Sequence, residues 1–120
     1  MSAKDDHPIR IVPNSKRVRI LVNGKDIADT INALTLFEAS YPGVQYIPRS
    51  DVLMSLLQRT AHKTHCPYKG EASYYSILSG NGTAENAVWS YEAPFLVATQ
   101  ISGYLAFDPR YVEHVEDPPA

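Results

Sequence analysis

The run Thr64-His65-Cys66-Pro67-Tyr68-Lys69-Gly70 places the only cysteine of the chain beside a histidine, with a tyrosine and a lysine in the same short loop. A thiol attacks only as its thiolate, and a neighbouring cation such as protonated His65 or Lys69 would lower its pKa. Cys66 is therefore a candidate catalytic residue. Its other reading is a small buried hydrophobe, because adjacent residues of an extended segment point to opposite faces and His65 need not reach it. Lys69, held between Tyr68 and Gly70 at the entrance to a strand, is a candidate partner for an anionic ligand such as a phosphate or carboxylate; the plain alternative is a solvated loop lysine. His62, His65 and Cys66 do not read as a metal site. An extended segment sends the two histidines to opposite sides, and no fourth ligand is near in sequence, so no metal or cofactor is expected.

These residues need elements to position them. Ala72 to Leu78 and Thr83 to Tyr91 read as a hairpin joined through Ser79-Gly80-Asn81-Gly82. With Asn81-Gly82 as the turn, Tyr74 lies opposite Trp89, and period-two alternation puts Ala72, Tyr74, Trp89 and Tyr91 on one face. Such rings form either a stacking wall for a planar or cationic ligand or the core of a small sheet. Asn86 falls on the other face with Tyr75 and Val88, as a structural hydrogen-bonder or a ligand reader. Earlier in the chain, Asn23-Gly24 between Val18–Val22 and Lys25–Asp29 signals a two-residue type I′ hairpin, which would set Ile20 opposite Ile27. Ala33 to Ala39, Val44 to Pro48, Gly103 to Phe107 and Tyr111 to Val115 suggest further strands. Asp51 to Leu57 and Phe95 to Ile101 suggest one or two short helices.

The 120 residues, 44% of them hydrophobic, suit one domain able to bury a core without metals or disulfides. Residues 1–15 read as a polar N-terminal arm, 16–115 as the β domain and 116–120 as an acidic, proline-containing tail. Eleven basic residues against thirteen acidic give a net charge of −2, and the only basic cluster is Lys16-Arg17-Val18-Arg19, so bulk nucleic-acid binding is not favoured. No apolar run approaches the roughly 18 to 20 residues of a membrane span. A lone cysteine and a polar N-terminus suggest a reducing cytoplasm, with self-association left open.

The segments T-H-C-P-Y-K-G, E-N-A-V-W-S-Y and G-Y-L-A-F, with R-V-R-I-L-V-N-G-K and Y-I-P-R-S-D-V before them, resemble the DUF427 family over about residues 16 to 112. The resemblance implies a mainly β, single-domain fold of antiparallel sheets similar to the Mss4-like or β-tent group, whose relatives include methionine sulfoxide reductase B and the ligand-binding domain of cereblon. It adds Glu38, Tyr46, Arg49 and Asp51 to the candidate polar set around Lys69, and it carries a nucleotidyltransferase-type name. The residues argue against that chemistry. Many such transferases hold two Mg²⁺ ions on paired carboxylates and grip phosphate with a Gly-Ser loop, and this chain has neither an Asp-x-Asp nor a Gly-Ser pair. It also lacks the Cys-x-x-Cys zinc knuckles of many β-tent relatives.

Two classes of function follow. The first is a domain that binds a small planar metabolite, anionic and nucleotide-like, with catalysis left open. It would use Lys69 and Arg49 as charge partners, Tyr74, Trp89 and Tyr91 as stacking rings, Asn86 or Glu38 as hydrogen-bonders, and Tyr46 and His65 as further contacts, with Cys66, Lys69 and Glu38 the candidates for any catalysis. The second is a non-catalytic module whose aromatic cage recognises a modified residue or terminus of a partner protein.

Overall fold

The computed structural model describes residues 8–80 and 82–118. Asn23 and Gly24 adopt φ of 53° and 79°, the left-handed pair that a type I′ turn requires, and they join β2 (Arg17–Val22) to β3 (Lys25–Thr30). The register differs from simple alternation. Ile20 pairs with Ala28 while Leu21 pairs with Asp26, so Ile27 is the extra residue of a bulge rather than the partner of Ile20. Both isoleucines are nonetheless buried.

The remaining strands are β1 (Ile9–Pro13), β4 (Leu34–Glu38), β5 (Val44–Tyr46), β6 (Leu57–Cys66), β7 (Gly70–Ser79), β8 (Gly82–Ser90), β9 (Ala106–Phe107) and β10 (Glu113–Asp117). They form antiparallel sheets in the orders β1-β4-β5, β10-β2-β3 and β6-β7-β8-β9, so the protein is mainly β. The four-stranded sheet is the middle layer. Period-two alternation sends Tyr75, Ile77, Val88 and Phe107 to one face, where they pack on Val18, Ile20 and Ile27 of the β10-β2-β3 sheet. Ala72 and Ala106 point the other way, onto Leu36 and Tyr46 of the β1-β4-β5 sheet, with Tyr74 and Trp89 at the edge of that second cluster. Burial on both faces is why Gly70 to Ile77 is almost continuously inaccessible.

Three expectations are corrected by these elements. Residues 9–13, assigned to the arm, form β1, because Ile9 and Ile11 alternate with Arg10 and cover the second core cluster. Pro8 and Pro13 are compatible with this because β1 is an edge strand. Glu116 and Asp117, assigned to the tail, belong to β10 and pair with Val18 and Arg17; the acidic strand lies beside a basic one, with Arg19 3.3 Å from Asp117 and Lys16 3.9 Å from Glu116. The expected helices are single 3-10 turns at Arg49–Asp51 and Met54–Leu56, with a kinked 3-10 segment at Leu96–Ile101. In addition, His65 and Cys66 lie on β6, not in a loop, leaving Pro67-Tyr68-Lys69 as the connection to β7. Among the described residues no helix is long and apolar enough to cross a membrane.

Candidate ligand-binding site

Tyr74 on β7 pairs with Trp89 on β8, as strand alternation requires, and both side chains lie on the face toward β4 and β5. The indole Nε1–H of Trp89 donates to the Tyr46 hydroxyl at 3.2 Å, which ties the two sheets together. Burial pushes the Tyr46 phenol up to about 12, against the opposing pull of that indole hydrogen bond, and burial likewise raises Tyr91 above the ordinary phenol range. An unfolded tyrosine ionises at about pH 10. Both groups therefore contribute stability that is complete below that pH and lost as pH rises through their folded-state values. Melting temperature is expected to fall steeply above about pH 10, and Tyr46→Phe should flatten that alkaline limb in a pH series of thermal melts.

Lys69 reaches this face from the β6–β7 connection. Gly70 takes φ of 112°, where a side chain would be strained, and the Phe95 N–H donates to the Lys69 carbonyl at 2.9 Å. The chain is thereby turned so that the Lys69 side chain points inward. It is 8% exposed, not solvated. Its Nζ forms an ion pair with Glu38 at the end of β4 and lies 5.5 Å from the centre of the Tyr91 ring.

Glu38, Tyr46, Lys69, Tyr74, Trp89 and Tyr91 line one cavity of about 600 Å³, and Asn86 joins them. The position of Asn86 corrects the expected face. Tyr75 pairs with Val88 but Ile77 pairs with Ala84, so Glu85-Asn86-Ala87 opposes Ser76 alone in a three-residue bulge. Asn86 adopts φ of 54°, which asparagine tolerates better than most residues, and the bulge turns it to the side of the rings.

Four other candidates lie elsewhere. Arg49 sits on the opposite face of the middle sheet, because the 3-10 turn after Pro48 carries the chain past the sheet edge; it donates to the Tyr75 hydroxyl at 3.1 Å and to Glu92 at 3.3 Å. There Glu92 also accepts two bonds from Arg59, and these hold its carboxyl below the usual range. His65 is exposed on β6, edge-on to Phe95 at 6.3 Å. Cys66 is half-buried against the second core cluster, outside the cavity lining. Asp51 accepts from the Thr30 hydroxyl at 2.7 Å and is likewise outside the cavity.

Sequence reasoning missed several residues of the rim, Tyr41, His62, Glu85, Asp108, Arg110 and Tyr111. His62 lies against Tyr74 with ring centres 4.6 Å apart, and Arg110 reaches the cavity from the segment after β9, gripped by Asp108 at 2.6 Å. His62 was legible as a residue type but not as a neighbour, since its position depends on a bulge in β6. Among the described residues no three His, Cys, Asp or Glu side chains gather as a metal would require.

The fold and the cavity thus define a single mainly β domain with a ring-walled pocket closed at one end by an ion pair. Residues 10–118 match the domain of unknown function DUF427, and the chain belongs to that family. A search of curated proteins finds no match.

Proposed function

We propose that the chain is a small-molecule-binding domain and that the cavity takes a planar, nucleobase-like ring. The observation that carries this is the placement of Tyr74 and Trp89 beside the Lys69–Glu38 pair in one open pocket. Its size, about 600 Å³, falls within the range of ligand pockets, and ring-on-ring stacking is worth about 1 to 3 kcal/mol per base. An ammonium beside a carboxylate offers a donor next to an acceptor. That arrangement fits the adjacent carbonyl and N–H of a lactam or imide edge, such as a nucleobase presents. Lys69 also supports the reading of an anionic ligand, but it and Arg110 are each already paired with a carboxylate, so an acidic group on the ligand would have to compete with Glu38 or Asp108. A polar ring edge suits the pocket better than a full negative charge. The same ion pair distinguishes the pocket from a cage walled by rings alone, as a module for modified protein side chains would have.

Trp89 is the only tryptophan, so its fluorescence reports on this pocket alone. Free nucleobases and nucleosides are expected to quench it saturably. Lys69→Met, checked for folding by circular dichroism, should weaken binding roughly tenfold, the worth of one hydrogen bond to a charged group. Quenching that never saturates, or that is equal in the variant, would overturn the proposal.

A further inference from the structure

Alongside the pocket runs a second groove of about 440 Å³, and every side chain lining it carries a hydrogen-bonding nitrogen or oxygen. The two cavities share His62, Glu85 and Asn86 as a common wall. Resting on the pocket reading above, we infer that this groove is a polyol subsite. The ligand class is then a nucleoside, a planar base carrying a neutral sugar, rather than a nucleoside phosphate.

The groove is built by two bulges that flank β7. On one side Arg59 pairs with Tyr75 and Lys63 with Ser73, so residues 60–62 oppose Tyr74 alone; on the other, Glu85-Asn86-Ala87 opposes Ser76. The bulges lean toward each other across the central strand. Thr60 Oγ1 donates to Asn86 Oδ1 at 2.7 Å, and the Asn86 backbone N–H donates to Ser76 Oγ at 3.1 Å. These bonds fix the Asn86 side chain, whose Nδ2 makes no hydrogen bond among the described residues and is available to a ligand oxygen. A residue held at positive φ in a bulge beside a cavity is the kind of strained position that functional sites retain.

Charge then selects between sugar and phosphate. Among the described residues, Glu85 is the only acidic side chain of the groove, no lysine or arginine lines it, and Glu85 makes no salt bridge. A free carboxylate accepts hydrogen bonds from one or both hydroxyls of a vicinal diol, the use to which an acidic residue is put against a ribose, and it repels a phosphate. Gln58 supplies further donors and an acceptor for the remaining hydroxyls, and the Thr60 oxygen, whose proton goes to Asn86, can only accept.

Isothermal titration of the full chain with free nucleobases, ribonucleosides, 2′-deoxyribonucleosides and nucleoside 5′-monophosphates tests this. The ribonucleoside is expected to bind about tenfold tighter than its base, as one charge-assisted hydrogen bond allows, and tighter than both the deoxy form and the monophosphate. In Glu85→Ala, which alters an exposed side chain, the ratio of nucleoside to base affinity should fall to about one. Thr60→Val should reduce the same ratio, and thermal melts confirm that each variant is folded. If base and nucleoside bind alike, if the monophosphate binds tightest, or if the ratio survives in Glu85→Ala, the groove inference is overturned while the pocket reading stands. Failure of every probe to bind the unaltered chain would overturn both.

Discussion

Glu38→Ala, with Lys69 left in place, is expected to lower the stability of the domain by about 3 kcal/mol and its melting temperature by on the order of 10 °C. Lys69 is 8% exposed, and Glu38 supplies its opposing charge from β4. Removing the carboxylate strands an ammonium against the Tyr91 ring in a poorly solvated position, which costs far more than the intact pair contributes. The asymmetry is itself testable. Replacing both partners with apolar residues of similar volume, Glu38→Leu with Lys69→Met, should recover most of the lost stability, because two desolvated charges disappear together. Thermal melts of the three proteins decide the matter: a single variant as stable as the parent would mean that the pair is solvated and is not the polar end of a pocket.

Phe107→Ala should cost as much or more, about 3 to 5 kcal/mol. Phe107 is 2% exposed on the short strand β9, opposite Val88, and packs in the cluster between the middle sheet and the β10-β2-β3 sheet. Its neighbour Ala106 pairs with Trp89, so β9 holds the strand that carries the indole. Truncation would open a cavity and loosen β8 at the same point. Denaturant unfolding should show the loss of stability, and a change below about 1 kcal/mol would mean that the two sheets do not share a continuous core.

The middle of this fold is written in period two. Tyr74 opposite Trp89, the shared face of Ala72 and Tyr91, and the Asn23-Gly24 turn all follow from alternation and turn chemistry, and each is found in place. What alternation cannot convey is where it breaks. The bulges at Ile27, at residues 60–62 and at Glu85-Asn86-Ala87 insert residues without a hydrophobic signature, so the partner of Ile20 and the face of Asn86 both shift. Asn86 itself was a hint, since asparagine in the middle of a strand is uncommon and accepts a left-handed backbone. β6 was hidden for another reason: as an edge strand it carries Gln58, Arg59, His62, Lys63 and His65, the polar residues that keep an edge from pairing with other chains. Arg49 lies three residues beyond Tyr46, yet Pro48 and the 3-10 turn carry it to the opposite face. Nearness in sequence misled there. For Lys69, Glu38 and Trp89, 20 to 51 residues apart, sequence gave the chemistry of each but only the sheets bring them into one cavity.

The most direct test of the pocket is the indole N–H resonance of Trp89 in a ¹⁵N-labelled sample. The chain has one tryptophan, so one indole cross-peak appears, and its proton is the one bonded to the Tyr46 hydroxyl at the cavity wall. Titration with a nucleoside should move that peak saturably, together with the amides of Lys69, Tyr74 and Asn86. An indole peak that stays fixed at saturating nucleoside, while shifts gather around Arg49, Arg59 and Glu92 on the other face or appear nowhere, would contradict the assignment of this pocket as the binding site.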